Sequence, residues 1–127
     1  MKKAIATTKA PAAIGPYSQA ISAGGFLYIS GQLPIDAETG KMGGNIGEQA
    51  RASLQNIDNI LQEAGLSRNN VVKTTIFLKN LADFETVNKI YGEFFAGSVF
   101  PARSTIEISR LPRDASIEIE AIACNNG

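Results

Sequence analysis

The chain has no histidine, no tryptophan and a single cysteine, Cys124. Without imidazole there is no Ser-His-Asp or Cys-His nucleophile pair, and no histidine-ligated zinc or haem. One thiol makes neither an internal disulfide nor a thiolate metal site, so nothing points to an oxidising compartment. Surplus charge is missing too. The 12 Lys and Arg balance 12 Asp and Glu, which argues against a binder of nucleic acid or of anionic membranes. No stretch approaches the roughly 20 apolar residues of a membrane span. The opening Met1-Lys2-Lys3-Ala4-Ile5-Ala6 faintly resembles a signal peptide, yet no apolar run of about seven or more follows it. These absences lead us to expect a cytoplasmic protein that uses no metal.

What is present is ordinary for a globular domain: 127 residues, 44% hydrophobic and 19% charged. That length suits one domain over residues 1–127, and it buries roughly two thirds of the surface exposed on unfolding. No repeat or Pro/Gly/Ser linker divides the chain.

Pro11 to Pro16 is turn-rich and extended. Gln19 to Ala23, Gly24-Gly25 and Phe26 to Ser30 read as a hairpin, because two glycines supply the positive φ of a tight turn. Asn45 to Ala64 places Ile46, Ala50, Leu54, Ile57, Ile60, Leu61 and Ala64 at helical spacing. Asn45 and Glu48 look like a capping pair, and Gly65 like a C-terminal stop. Val71 to Leu78 is β-rich, and a second helix is expected from about Asp83 to Phe95. Arg103 to Ser109 and Ser116 to Ala123 complete the strands. The order ββ-α-β-α-ββ is an α+β pattern, with two helices laid on one face of a sheet. In Val71 to Leu78 strict alternation groups Val72, Ile76 and Leu78 on one face and Val71 and Phe77 on the other. A strand apolar on both sides expects cover on both sides. Two helices cover one, so the second face is expected to meet another subunit; isolated exposed apolar residues are the plainer alternative.

The chemistry-bearing residues concentrate near the C-terminal end. In Phe100-Pro101-Ala102-Arg103-Ser104 a proline fixes entry into a strand and an arginine follows. In Ser116 to Cys124 alternation sets Glu118 and Glu120 on a face that also holds Ile122 and Cys124. A purely solvated face would rarely end that way, so a pocket or subunit interface is expected. A hairpin centred between Arg110 and Ala115 would put Arg103 on the same side as Glu118. The offset of four residues, about 13 Å, would let two long side chains converge on a small ligand. A one-residue slip would put them on opposite faces. Taken alone, Arg103 could equally be a surface ion-pair residue, and Glu118 a solvated carboxylate.

Pro101-Ala102-Arg103-Ser104, Leu111 and Ile117-Glu118-Ile119 together resemble the signature of the RidA/YjgF family of imine deaminases. The resemblance extends through Ile14-Gly15-Pro16-Tyr17-Ser18-Gln19-Ala20, Ser30-Gly31-Gln32, Gln49, Asn56 and Val87-Asn88-Lys89-Ile90-Tyr91, covering nearly the whole chain. It implies a fold similar to chorismate mutase of the Bacillus type and a homotrimer with clefts between subunits. It implies hydrolysis of 2-iminopropanoate and 2-iminobutanoate to 2-keto acids and ammonia, with no cofactor and with small 2-imino and 2-keto carboxylates as ligands. The family's carboxylate-binding arginine matches Arg103, and its acidic residue matches Glu118. Tyr17, Ser30, Gly31 and Asn88 match positions expected to line the cleft. Thr105 stands where many members have cysteine; the backbone carbonyl is preserved there and any thiol role is lost. Two other readings stay open: a trimer that binds small carboxylates without catalysis, and a ribonuclease or translation inhibitor. The balanced charge and the lack of a basic aromatic stripe make the last a poor fit.

Overall fold

The computed structural model describes residues 1–125. The strands are β1 (Lys3–Ile5), β2 (Ala20–Ala23), β3 (Phe26–Gln32), β4 (Val71–Leu78), β5 (Ala102–Glu107) and β6 (Ile117–Cys124). The helices are α1 (Ile46–Glu63) and α2 (Phe84–Phe94). Local chemistry accounts for most boundaries. Gly24 and Gly25 have φ of 58° and 82° and turn β2 into β3. Asn45 caps α1 by accepting from the Glu48 N–H at 2.9 Å. At the far end Gly65, φ 75°, reverses the chain. The Gly65 N–H then donates to Gln62 O and the Leu66 N–H to Leu61 O, closing the helix by a Schellman pattern. A short 3-10 turn, Leu81–Asp83, leads into α2.

The six strands form one mixed sheet in the order β1-β2-β3-β6-β4-β5. Every pairing is antiparallel except β4 with β5, which run parallel on either side of the α2 crossover. Both helices lie on one face. Ala50, Leu54, Ile57, Ile60 and Leu61 of α1, with Val87, Ile90 and Tyr91 of α2 and Phe95 just beyond it, pack on Ile76, Leu78, Ile117, Ile119, Ala121 and Ala123 of the central strands. This is the α+β architecture expected from the sequence, with an added N-terminal strand.

Three local expectations are corrected. The pairing of Lys3–Ile5 with β2 was not anticipated, because three residues carry too little pattern to mark a strand. Strands β5 and β6 are not a hairpin: β4 lies between them. The connection contains Pro112 and two left-handed residues, Arg113 (φ 58°) and Asp114 (φ 54°), a poor geometry for a tight β-turn. The polar, largely exposed β5 suits an edge, whereas β6, with four apolar residues buried on its core face, takes a central place. Finally, a register shift between Val71 and Lys73 bulges β4. It turns Val71 into the core and leaves Val72 43% exposed, the reverse of the strict alternation.

The face away from the helices is not covered by any helix among the described residues. Tyr28 pairs with Ile122, Phe26 with Cys124, and Phe77 with Ile106. Tyr28 and Ile106 are nearly half exposed. This is a broad apolar and aromatic surface, interrupted by Glu118 and Glu120.

Candidate active site

The candidate residues fall into two groups, on opposite faces of the sheet. Arg103 pairs with Thr74 across the parallel β4–β5 ladder, and Thr105 with Ile76. Paired residues of a ladder share a face, so both side chains lie on the helix side. There the Arg103 guanidinium sits 4.9 Å from the centre of the Tyr91 ring and 5.6 Å from that of Phe84. Asn88, four residues after Phe84 and three before Tyr91, lies on the same stripe of α2. The Tyr91 hydroxyl and Thr74 Oγ1 are 2.7 Å apart and buried. Burial pushes the Tyr91 phenol up, against the opposing pull of Thr74 and the Arg103 charge. Thr105 Oγ1 is buried without a hydrogen-bond partner among the described residues. Ion pairs among those residues are Arg68–Asp58 and Lys79–Asp114, which leaves the Arg103 fork unspent.

The second group is on the open face. Glu118 pairs with Phe77 there and is half-buried. Burial raises its carboxyl above the usual glutamate range, and the Glu120 charge adds to the shift. Gly31 lies directly against it: a Cβ at position 31 would stand 2.7 Å from Glu118 Cδ and 3.0 Å from Oε1. The β3–β6 register shifts between Ile29 and Gln32, so Ser30 and Gly31 together oppose one residue of β6. Ser30 donates from Oγ to Ser18 O at 2.7 Å and from N–H to Gln19 O at 2.9 Å, tying the loop before β2 to the end of β3. Tyr17, in that loop, is 54% exposed and lines a cavity of about 580 Å³ that is formed with the N-terminal segment and includes none of Ser30, Gly31 and Glu118.

Arg103 and Glu118 therefore do not converge within one chain. The hairpin register that put them on one side is replaced by an order in which β4 separates their strands and the side chains leave by opposite faces. By their spacing in the sequence Phe84 and Tyr91 are simply two residues of an apolar stripe on α2, with nothing local to mark them as neighbours of Arg103. The available signal was a phenol inside that stripe, since a buried hydroxyl needs a partner. Among the described residues no group of three or more Cys, Asp and Glu could hold a metal, and no helix is long and apolar enough to cross a membrane.

A guanidinium with no ion-pair partner among the described residues, on the edge strand, and a carboxyl beside a glycine on the open face are the two candidate groups that this α+β domain presents. Comparison with known proteins gives the lineage. The family model described as Endoribonuclease L-PSP matches residues 7–125. The chain is 51% identical to the 2-iminobutanoate/2-iminopropanoate deaminase of Salmonella typhimurium over 97% of its own length and 98% of the relative's. It is 54% identical to a RutC family protein of Pyrococcus abyssi over 96% of each. The crystal structure of the Escherichia coli yjgF gene product superposes with a TM-score of 0.95 at 49% identity, covering 98% of this chain and 99% of that one. Escherichia coli TdcF with bound serine superposes at 0.94 and 43%, covering 96% and 98%. With matches of this extent, the chain belongs to the RidA/YjgF family.

Proposed function

We propose that the chain is a 2-imino acid deaminase, converting 2-iminopropanoate and 2-iminobutanoate to 2-keto acids and ammonia. The observation that carries this reading is the half-buried Arg103 with no ion-pair partner among the described residues, its charge held by aromatic faces and its donors left free. A planar guanidinium fork grips both oxygens of a carboxylate and so fixes the direction of the adjacent C2. Water adds to the protonated C=N carbon, and the tetrahedral carbinolamine loses ammonia to leave the keto acid. Glu118 takes the proton from the attacking water and returns it to the leaving nitrogen. Tyr17, Ser30, Gly31, Asn88 and Thr105 complete the wall of the cleft. The protonated imine is already electrophilic, so holding and orienting it beside a water is the main contribution required. The names of relatives at about half identity over nearly the whole length support the substrate class.

The site is shared between copies in a homotrimer, Arg103, Thr105 and Asn88 coming from one subunit and Tyr17, Ser30, Gly31 and Glu118 from its neighbour. Two features favour this: the groups occupy opposite faces of one sheet, and the face bearing Glu118 is largely apolar and carries no helix among the described residues. In a dehydratase-coupled assay, Arg103→Ala abolishes accelerated imine hydrolysis and Glu118→Gln lowers kcat more than it raises KM. Refolding the two variants together restores about a quarter of wild-type sites, since a shared cleft draws each half from either chain at random. Full activity of Arg103→Ala would end the proposal, and absence of complementation would end its shared form.

Bound serine in the related TdcF favours, as a second reading, a carboxylate-binding protein without catalysis. Ligand binding that depends on Arg103, without rate enhancement, would establish it. The RNA-cleaving activity in the family model's description is a poor match to the balanced charge of this chain.

A further inference from the structure

Two arginines in this molecule stack on aromatic rings, and the contrast between them is informative. Arg68 lies 3.9 Å above the Phe94 ring, but it also donates to Asp58 Oδ1 at 3.2 Å and to Phe94 O at 2.9 Å. Its fork is committed, and it fastens α1 to the end of α2. Arg103 is stacked without such bonds to the described residues. A half-buried arginine ordinarily acquires a carboxylate partner, and that partner would compete with any incoming carboxylate. An aromatic face attracts the cation through its quadrupole and occupies none of its N–H donors.

We infer that Tyr91, locked by Thr74 and assisted by Phe84, is a positioning residue that holds the Arg103 guanidinium in place while leaving its fork free for the substrate carboxylate. The inference rests on the carboxylate-binding role proposed for Arg103. The ring is well fixed: Tyr91 is 4% exposed, its hydroxyl meets Thr74 Oγ1 at 2.7 Å, and its ring packs against Phe95 at 4.8 Å. Thr74 lies directly across the ladder from Arg103, so one register position carries both the lock and the residue it serves. Phe84, at the start of α2, contributes a second and more distant face.

The test is a graded series measured for kcat, KM and pyruvate binding. Tyr91→Leu removes the face and raises KM about tenfold, with kcat changing much less. Tyr91→Phe keeps the face but loses the Thr74 lock, raising KM about two- to threefold. Phe84→Leu, at a less buried position, raises KM about threefold and serves should Tyr91→Leu fail to fold. The spectroscopic readout is the Arg103 Nε–H resonance, assigned by its disappearance in Arg103→Lys. It is expected upfield and sharp in the wild type, and at the free-arginine position without the Tyr91 ring. A purely structural Tyr91 would lower Tm and leave KM and pyruvate binding in place, and this result overturns the inference. Arg103→Ala runs alongside. If it leaves pyruvate binding intact, the carboxylate role falls, while the ring-shifted resonance still reports independently on the clamp.

Discussion

Replacing Gly31 with alanine adds one methyl group at a place where the structure leaves no room for it. The new Cβ would stand 2.7 Å from Glu118 Cδ, against an ordinary carbon–carbon contact of about 3.5–4.0 Å. Something must move by about 1 Å. Strand β3 resists, because Leu27 and Ile29 are buried in the core and the ladder to β6 is intact from Phe26 to Ile29. The Glu118 side chain yields more easily, being partly exposed and without a side-chain hydrogen bond to the described residues. Turning it costs about 0.5–1.5 kcal/mol, and the stiffer unfolded chain of the alanine variant returns about 0.4–1 kcal/mol. Stability thus changes by less than about 1 kcal/mol, a Tm shift within about 4 °C. Catalysis is less forgiving, since misplacing a reacting group by about 1 Å costs on the order of 10²-fold. Gly31→Ala should therefore melt almost like the wild type and turn over imine about a hundredfold more slowly. The measurements are a thermal melt and a coupled keto-acid assay on the same preparation. A folded Gly31→Ala protein with kcat within threefold of wild type would refute the placement of Glu118 in the chemistry.

The raised Glu118 carboxyl predicts an acid limb of kcat/KM above the usual glutamate range, with activity lost as pH falls through it and the base is protonated. Because Glu120 contributes to the shift, Glu120→Gln should move that limb to lower pH; a limb unmoved or moved upward would exclude the coupling. The same sign governs stability. The folded chain holds this proton more tightly than the unfolded one, so Glu118 favours folding increasingly as pH drops through its raised pKa toward the ordinary range. Asn45→Ala removes the α1 cap and should cost about 1 kcal/mol in urea melts with the m-value unchanged. A neutral result would show that Glu48 and solvent satisfy the helix end without it.

Where local chemistry decides, the sequence was readable. The cap at Asn45, the stop at Gly65 and the run Val71–Leu78 appear in the structure essentially as the residues suggest. Long-range order was less visible. Nothing in β5 or β6 states that β4 comes between them, and an inserted residue near Val72 exchanges two valines between core and surface. The site shows the same division. Arg103, Glu118 and their companions are candidates singled out by motif, and the faces they occupy depend on strand order, which no local pattern encodes. Tyr91 reads as packing because it is an aromatic in an apolar stripe; its hydrogen bond to Thr74, on another strand, is a long-range contact that no local pattern shows.

The sheet sends its guanidinium out one side and its carboxyl out the other. In the assembly proposed above, each copy therefore serves two different clefts, lending a cation to one neighbour and an acid to the other. The genetics of such a protein would be unusual for so small an enzyme. A lesion in either half silences one cleft per faulty copy, and two alleles broken in different halves can rescue each other. A copy damaged in both halves spoils two clefts at once, and so acts dominantly over its healthy counterparts.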